Sequence, residues 1–166
     1  DRDSTRSYHV NQEKLITNKF SNYYENFAVN YDSAYLFYPF NKPIGKSYSG
    51  IAFYSKYPVA SALRRSFPIS TSFSKILDLD RCYSVSRITV DNGKELVIYS
   101  IHMSAYGNSD KIREGQTSML FNDMKTERKK GNYVICGGDF NHNLKLDEND
   151  NEKHEGWAYP FPRSKM

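Results

Sequence analysis

The sequence predicts an α/β domain in which helices cover a mixed β-sheet, and three features carry that prediction. Two β-rich runs, Tyr83 to Val90 and Glu95 to Met103, flank Asp91-Asn92-Gly93-Lys94. Asn-Gly between such runs is the strongest short signal for a hairpin. A helical pattern follows from Ser109 to about Lys130, and a further apolar run begins at Tyr133. Strand, helix, strand over this length reads as a crossover between parallel strands, so hairpin and crossover together require a sheet of mixed direction. At 166 residues the chain is one domain's worth, enough to bury a sizeable core.

Taken in order, residues from about Val10 to Tyr24 place Leu15, Ile16, Phe20 and Tyr23-Tyr24 near helical spacing and predict a modest amphipathic helix. From Tyr31 to Ser49 the pattern breaks at Pro39, Pro43 and Gly45, and the many tyrosines predict a long aromatic loop. Gly50 to Ser55 predicts a short buried strand, closed by Tyr57-Pro58 because proline cannot donate to a ladder. After the hairpin, Ser109 and Asp110 offer N-cap oxygens for the long helix, whose Ile112, Met119, Leu120 and Met124 fall on one face. Lys125, Arg128, Lys129 and Lys130 crowd its last turn, where the helix dipole favours cations, and Gly131 supplies a C′ stop. Tyr133 to Cys136 reads as a buried strand with a buried thiol at Cys136. The polar run Asp147 to Glu152 fails as an EF-hand calcium loop. The places that want Gly and Glu hold Glu152 and Ala158, so an acidic loop is the reading.

Composition narrows the function classes. A net charge of +4 and a pI near 8.9 suit an anionic substrate. The 23 basic residues are scattered, however, unlike the dense patches of dedicated nucleic-acid binders. Cys82 and Cys136 are too few for a disulfide framework. No stretch approaches the roughly 18 apolar residues of a membrane helix. The chain begins Asp1-Arg2-Asp3 with no initiator methionine, so we expect it to be a piece of a longer protein, and no targeting segment can be read from it.

The run from Tyr133 to Asn141 is the most informative. An apolar strand ends in Gly137-Gly138-Asp139 and, two residues on, Asn141. That puts a carboxylate and a carboxamide at the C-terminal mouth of a strand, where α/β proteins tend to place ligands. Period-two geometry projects Asp139 and Asn141 to one side if the strand runs that far. The two glycines allow a tight turn or a close approach. By average residue usage, Gly-Asp-Phe-Asn arises by chance in roughly one chain of this size in a thousand. A plain strand-to-turn exit would use the same Asp and Asn as turn formers. His102, ending the neighbouring predicted strand, is the partner that makes chemistry possible, although a lone histidine is more often structural. A carboxylate can bind Mg²⁺ or orient the attacking water, an amide can reach phosphate or metal, and an imidazole can stabilise pentacoordinate charge.

Four segments in order resemble the endonuclease/exonuclease/phosphatase superfamily, which has the pancreatic deoxyribonuclease fold. Asp1 to Gln12 (DRDSTRSYHVNQ) is similar to the stretch after the family's Gln-Glu-Val-Asp metal motif. Gly50 to Val59 (GIAFYSKYPV) resembles its Gly-x-Ala-x-x-Ser-Lys-x-Pro-Ile strand, Ser100 to Ser104 (SIHMS) its Thr-His-Leu strand end, and Gly138 to Asn141 its Gly-Asp-Phe-Asn signature. The resemblance implies a deoxyribonuclease-like four-layer α/β sandwich, of which residues 1–166 form the central portion of a single domain. It implies that Asp139 orients or deprotonates the attacking water, that Asn141 contacts phosphate or the metal shell, and that His102 acts on the scissile phosphate. Asp139 and Asn141 would hold Mg²⁺ or Mn²⁺. Arg87, on the first hairpin strand, resembles a phosphate-contacting arginine of the nuclease branch, though an exposed strand arginine fits the same position. His142 has no family role, and Gln116 on the helix reads as structural.

The departures matter too. The family's metal-binding glutamate would precede Asp1, and its closing Asp-His pair would follow Met166; Glu13 and Glu25 do not stand in the Gln-Glu context. Because Mg²⁺ normally needs more than one ligand group, this chain by itself is expected to have little or no hydrolase activity. The leading expectation is a parent phosphoesterase acting on nucleic acid, an inositol phosphate or a phospholipid headgroup, with no obligate protein partner evident. The Gly50 strand and its proline-rich approach lean towards the sphingomyelinase-like branch, and the tyrosines of 31–49 could stack on bases or touch lipid headgroups. The alternatives are a catalytically inactive member that binds a phosphorylated ligand or a protein, and an α/β domain without phosphate chemistry.

Overall fold

The Asn92-Gly93 turn joins the two strands it predicts. In a computed structural model, which describes residues 1–37, 40–69, 80–104, 110–143 and 159–160, β4 (Cys82–Thr89) pairs antiparallel with β5 (Glu95–His102). The helix α2 (Asp110–Lys129) then returns the chain to β6 (Tyr133–Asp139), parallel to β5. With β3 (Ser61–Ser66) antiparallel to β4, the sheet runs β3-β4-β5-β6 and is mixed, as expected. Gly131, at φ +84°, ends α2: its N–H donates to the Arg128 carbonyl (2.9 Å) and that of Asn132 to the Glu127 carbonyl (3.1 Å). These two bonds satisfy carbonyls that the helix end would otherwise orphan.

Alternation along β5 divides its environment. Val97, Tyr99 and Ile101 join Tyr83, Val85 and Leu120 in the main core, onto which Met119, Phe121 and Met124 of α2 also pack. The buried Val97, Ile101 and Leu120 each contribute roughly 1.5–3 kcal/mol by leaving water. Ile98, Ser100 and His102 fall on the opposite side by period two, and His102 there meets Asn30 of a second sheet.

That second sheet corrects the sequence reading. Residues 31–49 are not a long loop: β1 (Tyr24–Leu36) and β2 (Gly45–Ser55) pair antiparallel, and only 37–44 connects them. Aromatic residues suit a pleated surface, and Pro43 lies in the short connection, where it interrupts no ladder. Asn26 Nδ2 donates to Ser86 Oγ (2.8 Å), and Arg64 Nε to the Val29 carbonyl (2.5 Å), tying the sheets together. The first helix is also shorter than expected. After a 3-10 turn at Thr5–Ser7, α1 spans Gln12–Lys19, capped by Asn11 accepting from Lys14 N (2.8 Å). It ends before Tyr24 because that residue already belongs to β1.

β6 corrects a third expectation. Among the described residues it is the sheet's edge, with Val134 and Cys136 on the core and Tyr133 and Ile135 about half exposed. An unbroken apolar run predicts cover on both faces, whereas one face is covered here. Cys136 is partly buried, and burial pushes its thiol up to about 11, which leaves it unreactive. Two short strands, β7 (His142–Asn143) and β8 (Tyr159–Pro160), pair parallel. Ser109 and the acidic run at 147–152 lie outside the described residues. Among the described residues, no helix is long and apolar enough to cross a membrane.

Candidate active site

Parallel pairing of β5 and β6 brings two of the sequence-predicted residues together. His102 and Asp139, the last residues of their strands, are register partners, and Met103 N donates to the Asp139 carbonyl (2.9 Å). Their side chains stand 3.8 Å apart, Nε2 to Oδ2, too far for a hydrogen bond. Gly138 permits this approach. It sits at φ +135° opposite Ile101, and a Cβ there would lie 2.2 Å from the Ile101 carbonyl oxygen. Gly137, by contrast, would meet nothing within 4 Å among the described residues.

Asn141 completes the turn. At φ +50° it takes the left-handed conformation that asparagine tolerates better than most residues. Its N–H donates to Asp139 Oδ1 (2.9 Å) and its Nδ2 to the Met103 carbonyl (2.7 Å). Its Oδ1 is buried and, among the described residues, has no hydrogen-bond partner. A buried acceptor without a donor is costly and is suited to an electropositive ligand. Asp139 presents a half-exposed carboxylate beside it. Both are hard oxygen donors of the kind Mg²⁺ and Mn²⁺ take, with water and phosphate oxygens filling the remaining positions. Among the described residues, no group of three or more His, Cys, Asp or Glu converges on a metal-sized centre.

Two residues that the sequence reading missed surround the imidazole. Arg81, just before β4, is almost wholly buried, and its Nη1 lies 2.5 Å from His102 Nε2. Asn30 is the extra residue where β1 slips register between Val29 and Tyr31. Such bulges re-aim a side chain. Its Oδ1 accepts from Cys82 N (3.1 Å) and its Nδ2 lies 3.4 Å from His102 Nδ1. Burial and the Arg81 cation, opposed by Asp139, bring the His102 pKa down to about 4. The ring is therefore neutral near pH 7, beside a fixed positive charge. We expect NMR titration to find His102 neutral down to about pH 4, and Arg81→Met to move its midpoint up. A midpoint at the ordinary histidine value in the unsubstituted chain would contradict this geometry.

The other sequence candidates lie elsewhere. Arg87 pairs across the hairpin with Val97, well along β4 from the His102 end. Its guanidinium contacts Glu127 (2.8 and 3.0 Å) and Glu95 (2.6 Å). Gln116 is fully buried, donates to the Pro68 carbonyl and Ser104 Oγ (both 2.9 Å), and accepts from Ser104 N (3.1 Å). It anchors the chain just past His102, the structural part expected of it. His142 begins β7.

The family pattern described as Endonuclease/Exonuclease/phosphatase family matches residues 8–163. Among solved structures, the chain is similar to the human Nocturnin catalytic domain with bound sulfate anion. The TM-score is 0.55 and the identity 15%, over 80% of this chain and 46% of that one. ANGEL2, a 2′,3′-cyclic phosphatase, aligns with TM-score 0.54 and 16% identity, over 79% of this chain and 35% of that one. At these identities the likeness is one of fold, and the chain spans less than half the length of either structure. No curated protein sequence matches.

Proposed function

The chain belongs to the endonuclease/exonuclease/phosphatase family, and from that premise we propose that the whole protein is a metal-dependent phosphoesterase cleaving by in-line attack of water. The observation that carries this reading is the convergence of His102, Asp139 and the buried Arg81 at one sheet edge, with Asn141 Oδ1, unpartnered among the described residues, beside them. The substrate belongs to the class of nucleic acids, inositol phosphates or phospholipid headgroups. Residues 1–166 would form the central part of one domain, and its two main sheets part of a four-layer sandwich.

In this reading Asp139 orients the attacking water and takes its proton. Arg81 hydrogen-bonds the phosphoryl oxygens, where negative charge grows in the transition state, and the neutral His102, accepting from Arg81 at Nε2, acts on the phosphate by aiming that guanidinium. Asp139 and Asn141 are the residues that would hold Mg²⁺ or Mn²⁺. A bound ion of that kind polarises the phosphoryl group and acidifies water. Because the described residues supply one carboxylate at this edge, the isolated chain is expected to turn over little or no substrate. The second reading, an inactive member that binds phosphorylated ligands, rests on that same short donor set.

Two assays separate these readings. In a longer protein with Mg²⁺ and a panel of phosphate mono- and diesters, Asp139→Ala is expected to lower kcat/KM by roughly a thousandfold or more. Unchanged turnover there would remove Asp139 from the chemistry. In the 166-residue chain, Mn²⁺ binding followed by electron spin resonance should be weak and lost on Asp139→Ala. Robust Mg²⁺-dependent hydrolysis by the isolated chain, abolished by Asp139→Ala, would overturn its expected inactivity.

A further inference from the structure

A cavity of about 570 Å³ opens between the 3-10 turn and the far end of the β1–β2 hairpin. Tyr8, Leu36, Pro43 and Ile44 give it apolar walls, and Arg6 and Lys42 add positive charge. Large apolar side chains of that hairpin end are exposed to solvent. Tyr8 is 89% exposed, Phe40 85% and Phe37 68%, with Tyr35 and Ile44 exposed as well. Tyr8 and Phe40 are the two most exposed large apolar side chains among the described residues. Apolar groups concentrated at one projecting end mark an interaction surface.

Charge decides which partner that surface fits. Arg6 is held by Asp1 at 2.8 and 2.9 Å and Lys46 by Asp3 at 2.6 Å. Lys42 lines the cavity with no ion pair among the described residues, and 35–47 carries no carboxylate. A nucleic-acid strand needs cations tracking its phosphates and open ring faces. Here most cations are already paired, and Tyr35 and Phe37 pack edge to face at 4.9 Å. A bilayer interface asks instead for apolar area with modest positive charge.

We propose that this hairpin end, with Tyr8, docks on a phospholipid bilayer. Phe37, Phe40 and Tyr8 enter the boundary between headgroups and acyl chains, and Lys42 faces lipid phosphate. The proposal does not rest on the phosphoesterase reading, since a chain that hydrolyses nothing can still dock.

Co-sedimentation of the 166-residue chain with phosphatidylcholine vesicles, with and without phosphatidylserine, tests it. Binding to both is expected, tighter on the mixed vesicles. Phe37→Ser should weaken partitioning about tenfold on both kinds, with Tyr8→Ser as the second variant if the first is misfolded by circular dichroism. Lys42→Glu should weaken it several-fold on the mixed vesicles alone. Tyr57→Ser, 70% exposed beyond the opposite end of β2, should leave it unchanged. The proposal fails if the chain stays in the supernatant with both vesicle types, or if Tyr57→Ser weakens binding as much as Phe37→Ser. It also fails if Phe37→Ser instead abolishes binding to a single-stranded oligonucleotide or dissociates a dimer on size exclusion.

Discussion

Gly138→Ala is expected to cost about 3 kcal/mol or more, while Gly137→Ala next to it costs little. The new Cβ at 138 would lie 2.2 Å from the carbonyl oxygen and 2.9 Å from the nitrogen of Ile101. Those are backbone atoms held in the β5–β6 ladder, so no rotamer change relieves the clash. The φ of +135° adds strain for any L side chain. The strand must move, and Asp139, the next residue, moves with it. Urea unfolding of the two alanine variants checks this, with Mn²⁺ binding as the site readout. Equal midpoints for the two variants would show that Gly138 is not needed for the approach of β6.

Legibility from sequence followed how local each determinant is. The hairpin, α2 and the crossover were legible because Asn92-Gly93, the apolar face around Leu120 and the Gly131 stop act within a few residues. His102 and Asp139 were legible for the same reason: each ends a strand, and parallel neighbours end side by side. Arg81 was within reach. Counting back in register from the turn puts Cys82 opposite His102, and Arg81 immediately beyond it. The sequence reading passed over it by starting the strand at Tyr83. Asn30 was out of reach, because a bulge in β1 and the meeting of two sheets aim it at His102. Residues 31–49 were misread because Pro39, Pro43 and Gly45 were taken to break the whole stretch. In the structure β1 and β2 flank the short connection 37–44 instead.

Arg87 yields the other large effect, and it separates a structural role from a substrate role. Glu127, nearly buried on α2, accepts from Arg87, Lys130 Nζ (2.8 Å) and Asn132 Nδ2 (2.8 Å). Arg87 above all holds its carboxyl down to about 2. Arg87→Met removes the main countercharge from a carboxylate that is only 7% exposed, and about 3 kcal/mol of stability should go with it. The pH dependence has a definite sign. A carboxyl whose folded pKa is depressed contributes stability that is complete above its ordinary value of 4.5 and is lost as pH falls towards about 2. The unsubstituted chain should therefore lose stability on acidification through that window, and Arg87→Met should lose less there because less remains to lose. Urea midpoints at pH 7 and pH 3 measure both quantities. A drop at pH 7 that shrinks at pH 3, with inorganic phosphate affinity unchanged, makes Arg87 the clamp between β4 and α2. Intact stability with weakened phosphate affinity would return Arg87 to the substrate side.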